Sequence, residues 1–201
     1  MKVVVITGGI GSGKSMACDY IHSHYGWPVY QADARVKDLY ACHPTLLSDI
    51  ENALGADLRN EDGCLNPQVL SNIIFADTDA LAKVESFVFP ALMEDFETWK
   101  DSHGDSEIVI LESATILEKP EIKGIGDYVL LIDAPMDQRL SRATRRDDVS
   151  ADKILLRMAR QKMMNDISSG VLLAPVDQVI LNDGTVKELE EKLDKFVKNM
   201  L

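Results

Sequence analysis

The sequence of 201 residues has few of the features that mark secreted, zinc-binding or membrane proteins. Its three cysteines are odd in number and widely spaced, which excludes a disulfide framework and a zinc pattern and predicts reduced thiols. It has no run of about 18 apolar residues, which excludes a membrane-spanning helix. The apolar stretch at the N-terminus is too short for a signal peptide, so we expect a cytoplasmic protein without a membrane partner.

Positive charge is scarce along most of the chain. The net charge of −12 argues against nucleic acid as a general partner, because a phosphate backbone requires a basic surface. One segment is an exception, since residues 137–162 contain eight Lys or Arg and only four Asp. A single basic segment in an acidic chain predicts a local role, such as holding a small polyanion.

Short apolar runs alternate with helical patterns along the chain. Five of these runs predict strands, at residues 2–7, 29–32, 107–111, 128–132 and 178–181. Alternation of strand and helix predicts an α/β fold built on a five-stranded parallel, doubly wound sheet. The long interval between the second and third strands has only helical patterns, so we expect a helical insertion at residues 38–104.

Two helices are predicted in more detail. In the insertion, an apolar stripe runs at helical spacing from Leu81 to Trp99, and Pro90 is expected to break or kink it. Near the C-terminus, Thr185 and Glu188 match a capping box. The apolar stripe that follows, from Val186 to Met200, predicts one amphipathic helix.

A glycine-rich motif separates the first strand from the first helix. Residues 8–15 (GGIGSGKS) fit G-x-x-x-x-G-K-[ST], and a strand before with a helix after is the context that this phosphate-binding loop (P-loop) requires. Glycines let backbone N–H groups approach phosphate oxygens, and the helix N-terminus adds a positive dipole end. The alternative is an ordinary glycine-rich turn, which the Lys-Ser pair in register disfavours. We predict ATP as ligand, with Lys14 on its β- and γ-phosphates and the Ser15 hydroxyl on Mg²⁺.

Two acids follow predicted strands at the sheet edge where ligands of such folds bind. Asp33 follows the second strand, where it is equally consistent with a base that accepts the proton of an attacking hydroxyl and with an N-cap. Glu112 follows the third strand. It is a candidate to hold Mg²⁺ through water or to contact the acceptor hydroxyl, with a helix cap as the alternative.

The basic segment predicts a lid. Ser150 is placed to cap a helix on which Lys153, Arg157 and Arg160 share one face. Two helices joined by a polar hinge would close over the nucleotide, exclude water and neutralise the transferring phosphoryl group. For any single arginine the alternative is an ordinary solvated helix face.

Taken together, these residues resemble the dephospho-CoA kinase family over nearly the whole chain. The similarity lies in residues 6–15 (ITGGIGSGKS), 32–33 (AD), 54–55 with 61–63, 74–77 (IFAD), 146–150 (RDDVS) followed by Arg157 and Gln161, and 179–184 (VILNDG). The sequence departs from the family pattern at Met16, at Phe89 before Pro90, and at residues 112–114 (ESA).

The resemblance implies a three-layer P-loop NTPase fold of the nucleoside-monophosphate-kinase group, with a helical substrate-binding insertion and a helical lid. It implies transfer of phosphate from ATP, with Mg²⁺, to the ribose 3′-hydroxyl of dephospho-CoA, the last step of coenzyme A synthesis. The nucleotide core would comprise residues 1–37, 105–136 and 166–201, the CoA subdomain 38–104 and the lid 137–165. We expect a monomer or a weak homo-oligomer.

The resemblance also assigns roles to single residues. It implies that Asp33 is the catalytic base, assisted by Lys14 and the lid arginine Arg146. The expected nucleotide-binding residues are Gly8, Gly11, Ser12, Gly13, Lys14, Ser15, Met16, Arg146, Asn182 and Gly184. Mg²⁺ is assigned to Ser15, with Glu112 as a second candidate through water.

Two other functions fit the P-loop. A kinase for nucleoside monophosphates or a shikimate-like acid is disfavoured, because only Arg35 and Arg59 lie between the P-loop and the predicted lid to bind an acceptor's phosphate. A nucleotide-dependent switch is the alternative from another class. A GTPase would carry a guanine-specific Asn-Lys-x-Asp pattern, which the sequence lacks.

Overall fold

The computed structural model describes residues 1–115, 124–161 and 176–201. The chain forms two compact units, of which the first comprises Met1–Gln31 with Gly104–Leu201 and the second Ala32–His103. The strands are β1 (Lys2–Thr7), β2 (Val29–Gln31), β3 (Ile108–Glu112), β4 (Tyr128–Asp133) and β5 (Gln178–Leu181). The helices of the described residues are α1 (Lys14–Tyr25), α2 (Ala32–Cys42), α3 (Leu46–Leu54), α4 (Pro67–Ala76), α5 (Thr78–Asp101), α6 (Met136–Asp147), α7 (Ala151–Ala159) and α8 (Val186–Met200).

The five strands of the described residues lie in one parallel sheet in the first unit, in the order β2-β3-β1-β4-β5, which confirms the predicted fold class. β1 is central, with Val5 opposite Leu111 of β3 and Val129 of β4. Because β1 is hydrogen-bonded on both sides, the loop that follows it starts from a fixed point. A parallel sheet is usually buried on both faces, and the interior positions of β1, β3 and β4 are accordingly apolar and buried.

One face of the sheet packs against α1 and α8. Side chains alternate between the faces of a strand, and the even-numbered residues Val4, Ile6 and Ile110 join Ile21 of α1 and Phe196 of α8 in one buried cluster. The odd-numbered residues on the other face, such as Val5 and Leu131, are also fully buried. This apolar packing fixes α1 directly behind β1.

α8 begins where the sequence predicts. The Thr185 side chain accepts a hydrogen bond from the Glu188 N–H, and the Glu188 carboxylate accepts one from the Thr185 N–H, so the capping box is confirmed. The apolar stripe is confirmed from Leu189 onward. Val186 is 53% exposed, so its assignment to the buried stripe was wrong.

The second unit is helical, as expected for the insertion. Its core includes Val84, Val88 and Phe96 from the predicted stripe of α5. Pro90 was expected to break or kink the helix. The break does not occur, since α5 is one helix of 24 residues that contains Pro90 in its interior. Pro90 lies on the exposed side of α5, opposite the stripe. Packing of the buried face holds the helix together despite the missing N–H of Pro90.

The three cysteines are free thiols, as expected. Cys18 is buried while Cys42 and Cys64 are exposed, and none forms a disulfide. Burial raises the pKa of the Cys18 thiol, which keeps it protonated and unreactive. Within the three described stretches, no helix has both the length and the apolar character needed to cross a bilayer.

A carboxylate joins α1 to α8 by accepting two hydrogen bonds. The hydroxyls of Tyr20 and Tyr25 donate to Asp194 Oδ1 at 2.8 and 2.7 Å. These bonds hold the pKa of Asp194 below its usual range. The hydrogen bond to Asp194 raises the pKa of Tyr20 to about 12, and burial together with the same carboxylate raises that of Tyr25 to about 12.

We predict that Asp194→Ala lowers the free energy of unfolding by about 1–2 kcal/mol, because two hydrogen bonds to a partly exposed charge are lost. The contribution of the carboxylate is complete above about pH 4 and is lost as the pH falls through the lowered pKa of Asp194. The tyrosines' contribution is complete below about pH 10 and is lost as the pH rises toward 12. Denaturant unfolding measured across this pH range tests both the loss of stability at low pH and the loss at high pH.

Alkaline absorbance titration provides a second measurement. In Asp194→Ala, Tyr20 should titrate closer to pH 10, and Tyr25 should shift less because burial is its larger cause. Lys195→Ala, at an exposed position next in the helix, is the matched control and should change neither quantity. An unchanged tyrosine titration in Asp194→Ala would contradict the proposed coupling.

Candidate active site

The P-loop lies between the central strand β1 and the N-terminus of α1. Gly11 and Gly13 have φ angles of +77° and +105°, in the region that favours glycine. A Cβ at Gly11 would overlap the backbone of Arg139, and one at Gly13 would overlap the amide of Asn182. Both glycines are therefore required by backbone conformation and by close approach of neighbouring groups.

Lys14 is the first residue of α1 and is only 9% exposed. Its Nζ lies 3.5 Å from the Gly9 carbonyl oxygen and 3.9 Å from Glu112 Oε1. Glu112 is the last residue of β3, one residue later than the predicted end of that strand, and is 7% exposed. The structure thus brings the predicted lysine and the predicted strand-end acid together in a buried pair beside the P-loop.

Asn182 braces the P-loop from the end of β5. Its side-chain Nδ2 donates to the Ser12 carbonyl at 2.8 Å, and its backbone carbonyl accepts from Arg142 at 3.1 Å. Asn182 was predicted to bind nucleotide, and the structure places its side chain on the loop backbone. Gly184, predicted with it, is exposed beside the Glu188 carboxylate of the capping box.

Two buried hydroxyls lie in the P-loop or directly before it. Ser12 Oγ and the Thr7 Oγ1 of β1 are buried without a hydrogen-bond partner among the described residues. Ser15 and Met16 lie in the first turn of α1 and are exposed. An orphaned hydroxyl within a glycine cradle at a helix N-terminus fits a phosphate group, and the hydroxyl and carboxylate oxygens of Ser15 and Glu112 are donors that suit Mg²⁺.

The described residues include no group of three or more His, Cys, Asp or Glu side chains that could hold a metal ion by themselves. A divalent cation at this site would therefore rely on few protein ligands. Mg²⁺ commonly binds in this way, with one or two protein oxygens and the phosphates of the substrate.

Asp33 belongs to the second unit. The second strand ends at Gln31, not at residue 32 as predicted, and α2 begins at Ala32. Asp33 is therefore an exposed residue in the first turn of α2, and it is neither a strand end nor the N-cap. An acid in this position is favourable beside the positive end of a helix dipole.

The predicted lid corresponds to α6 and α7, with residues 162–165 and the adjoining core segment 166–175 outside the described residues. Asp147, at the end of α6, accepts from Arg146 Nε at 2.7 Å and from an Arg157 terminal nitrogen at 2.9 Å. The hydrogen bond from Arg146 holds the pKa of Asp147 below its usual range, and Asp147 raises that of Arg146. Asp148 then turns the chain with a φ of +51°.

The basic side chains of this segment do not act as one cluster. The side chain of Arg146 is 62% exposed, whereas Arg139 is 4% exposed and lies against the P-loop. Ser150 occupies the predicted N-cap position of α7, but its side chain makes no capping hydrogen bond. Arg139 and Arg146 therefore differ in surroundings, although both belong to α6.

Two P-loop contacts were not predicted. Arg139 Nε donates to the Ile10 carbonyl at 3.1 Å, and Gln161 Oε1 accepts from the Ile10 N–H at 2.8 Å. Their positions in the sequence do not reveal these contacts, because Arg139 is one of several arginines in α6 and Gln161 follows α7 in a polar stretch. In the folded chain Arg139 lies one turn before the buried Ala143, so both are on the buried face of α6.

The second unit contains a cavity of about 390 Å³ between α2, α4 and the loop before α4. Its wall is mainly apolar, with Leu65, Leu70 and Ile74, and its polar groups come from Lys37, Tyr40 and Ser71. Burial raises the pKa of Tyr40 to about 12, so its hydroxyl remains protonated at neutral pH. The cavity can therefore hold a mostly apolar chain that carries a few hydrogen-bonding groups.

Comparison with known proteins decides the family. The family model for dephospho-CoA kinase matches residues 2–188 of this chain. The chain belongs to the dephospho-CoA kinase family. This family catalyses the final step of coenzyme A biosynthesis.

Individual relatives agree with this assignment. The dephospho-CoA kinase of Porphyromonas gingivalis is 34% identical over 182 residues, covering 90% of this chain and 86% of the relative. That of Salinibacter ruber is 30% identical over 194 residues, covering 96% and 94%. The crystal structure of TT1252 from Thermus thermophilus has the same fold, with a TM-score of 0.81, 24% identity and coverage of 100% of this chain and 98% of that one.

We predict that Gly13→Ala weakens ATP binding by more than about tenfold, because the added methyl group meets Asn182 in a backbone conformation that already disfavours alanine. Gly26→Ala is the matched control, since Gly26 has a φ of +72° and open space around it. That control should lose about 1 kcal/mol of stability and keep its ATP affinity. Calorimetric titration with ATP distinguishes the two variants. Equal losses of ATP affinity in both would show that the close contact between residue 13 and Asn182 does not matter for binding.

Proposed function

We propose that this chain transfers the γ-phosphate of ATP to the ribose 3′-hydroxyl of dephospho-CoA, yielding CoA and ADP. The observation that carries the proposal is the buried Lys14 beside Glu112 in a P-loop, in a chain that the family model matches from residue 2 to 188. Membership of a kinase family implies use of ATP. The acceptor and the residue roles below are the specific content of the proposal.

The P-loop side of the reaction rests on charge and backbone geometry. Lys14 is the proposed contact to the β- and γ-phosphates, and its burial strengthens its attraction to them. The N–H groups at the start of α1 and the Ser12 hydroxyl are the proposed donors to the phosphate oxygens. Mg²⁺, held through Ser15 and through water by Glu112, would offset negative charge as the phosphoryl group moves.

Asp33 is the proposed base. As the acceptor's 3′-oxygen forms its bond to the γ-phosphorus, the bond from that phosphorus to the bridging oxygen of ADP breaks. The proton of the 3′-hydroxyl passes to an oxygen of the Asp33 carboxylate. Support comes from the exposure of this carboxylate in the first turn of α2 and from its match to the family's Ala-Asp pair.

Arg146 is the proposed lid arginine. Its side chain is largely exposed and is held by Asp147, which also pairs with Arg157. Release of Arg146 from this carboxylate would allow its guanidinium to bind the transferring phosphoryl group with directed N–H bonds. The left-handed residue Asp148 between α6 and α7 supports a hinge at that point.

The second unit is proposed to bind the acceptor. Dephospho-CoA carries a pantetheine arm, a flexible chain with apolar carbons, two amides and a terminal thiol. The cavity of about 390 Å³ combines an apolar wall with the Tyr40 and Ser71 hydroxyls, which suits such a chain. Lys37 at the same cavity can pair with the diphosphate to which the arm is attached.

The proposed acceptor can be tested with purified protein, ATP-Mg²⁺ and a panel of dephospho-CoA, nucleoside monophosphates and shikimate, analysed by mass. We expect a gain of one phosphate on dephospho-CoA alone. Phosphorylation of a nucleotide or of shikimate instead would support a rival kinase. Slow ATP hydrolysis with no phosphorylated acceptor would support a nucleotide-dependent switch.

We predict that Asp33→Asn lowers kcat by at least about 100-fold, because the amide cannot accept the proton, while ATP affinity stays within about twofold. Asp38→Asn is the matched control on the same helix, where the carboxylate is exposed and pairs with Arg35 at 3.5 Å. Steady-state kinetics and ATP titration measure both quantities. Near-normal turnover in Asp33→Asn would show that another group is the base.

We predict that Ala41→Trp raises the KM for dephospho-CoA by about tenfold or more, because Ala41 lines the cavity and the larger side chain occupies it. The KM for ATP should not change. Ala82→Trp, at an exposed position on α5 that does not line the cavity, is the control and should leave both constants unaltered. An unchanged KM for dephospho-CoA in Ala41→Trp would remove the cavity from the acceptor site.

A further inference from the structure

The P-loop contains a tight turn with Ile10 at its second position. The Ser12 N–H donates to the Gly9 carbonyl at 3.1 Å, which closes the turn. Gly11, at the third position, has a φ of +77°, as a type II turn requires. The orientation of the two peptide groups that flank Ile10 therefore sets the direction in which the rest of the loop leaves the turn.

Side chains from outside the loop bind both polar backbone groups of Ile10. Its N–H donates to Gln161 Oε1 at 2.8 Å, and its carbonyl accepts from Arg139 Nε at 3.1 Å. Both distances are normal for N–H···O bonds. Ile10 is thus held on both of its peptide groups by residues about 130 and 150 positions away in sequence.

Both side chains are buried, each with 4% of its surface exposed. Gln and Arg are seldom so deeply buried, and a buried polar group is costly unless it is hydrogen-bonded. Burial lowers the pKa of Arg139, and Asp133, whose Oδ1 lies 3.9 Å from the guanidinium, opposes this change. The hydrogen bonds to Ile10 therefore offset part of the cost of burying both groups.

The fit around Arg139 is close. A Cβ on Gly9 would overlap its guanidinium, and one on Gly11 would overlap its backbone. The Ile10 side chain meanwhile packs against the small cluster of Ala143, Ile154 and Met158 from α6 and α7. Ile10 is therefore joined to α6 through its carbonyl, to both helices through its side chain, and to the residues just after α7 through its N–H.

We propose that Gln161 and Arg139 are positioning residues that fix the Ile10 peptide groups and thereby orient the P-loop for the triphosphate. They do not contact ATP; they set the direction of the loop that does. The inference rests on the proposed ATP site and extends it, since it makes the α6–α7 pair part of the support of the P-loop. Loosening Ile10 should weaken ATP binding without removing the groups that carry out the transfer.

The decisive variant is Gln161→Met, which keeps the length of the side chain and removes the acceptor oxygen. We expect the Kd and the KM for ATP to rise about five- to tenfold, as for loss of one buried hydrogen bond, while kcat stays within about twofold to threefold. The Ile10 amide should exchange with solvent at least about tenfold faster, with amides in β1 and β4 unaffected. Tm should change by less than about 4 °C.

Further variants separate positioning from folding. Gln161→Glu keeps an acceptor oxygen, so the Ile10 amide should remain protected. Gln161→Asn keeps a polar side chain but is shorter, so its oxygen no longer reaches the Ile10 N–H. If Gln161→Met does not fold, Gln161→Asn is expected to show the same faster exchange of the Ile10 amide and the same weaker ATP binding. Leu156→Gln, at a position on α7 that is 62% exposed, is the control and should match the native protein.

Unchanged ATP affinity and Ile10 exchange in Gln161→Met and Gln161→Asn would overturn the inference. So would faster exchange spread equally over the sheet, since that result indicates a merely structural role. Measurements of ATP binding and of amide exchange do not require dephospho-CoA, the proposed phosphoryl acceptor. Failure of the chain to phosphorylate dephospho-CoA would therefore contradict the proposed acceptor and leave this test intact.

Discussion

The close packing around the turn between β1 and α1 is the constraint on which the site depends. Nothing larger than glycine fits at residues 11 and 13, because Arg139 and the Asn182 amide come within contact distance of the loop backbone. The loop is held from β5 through Asn182 and from α6 through Arg139. Phosphate binding by backbone N–H groups depends on their fixed direction, and here that direction is set by side chains from distant parts of the sequence.

The central position of β1 explains how this small loop can be rigid. β1 is paired with β3 and β4, so both neighbours contribute groups at the carboxyl edge of the sheet. Glu112 at the end of β3 lies beside Lys14, and Asp133 at the end of β4 lies near Arg139. Each buried cation of the loop region thus has a carboxylate nearby, which offsets part of its desolvation.

Much of the fold could be predicted from the sequence, because the periodic patterns and local motifs decide it. The buried strands, the P-loop and the Thr185 capping box depend on residues close together in sequence. Of the break or kink expected at Pro90, the break does not occur, because packing of the apolar face of α5 outweighs the missing hydrogen bond. The end of the second strand was also misplaced, since the start of α2 at Ala32 leaves little local trace.

The candidate site was less predictable where its contacts are long-range. Lys14 and Glu112 could be identified because each follows a recognisable strand or motif. The contacts of Arg139 and Gln161 with Ile10 could not, because they link positions far apart and neither residue differs in type from its polar neighbours. Burial distinguishes Arg139 from Arg146, and burial of a single arginine in a basic helix is a property of the folded chain.

The most direct test of the account is a crystal structure of the protein with both a non-hydrolysable ATP analogue and dephospho-CoA bound. The account predicts that a carboxylate oxygen of Asp33 lies within about 2.6–3.2 Å of the ribose 3′-oxygen, with the γ-phosphate held by Lys14. A complex in which both ligands are bound and the Asp33 carboxylate is more than about 6 Å from that oxygen, beyond the reach of one bridging water, would contradict it.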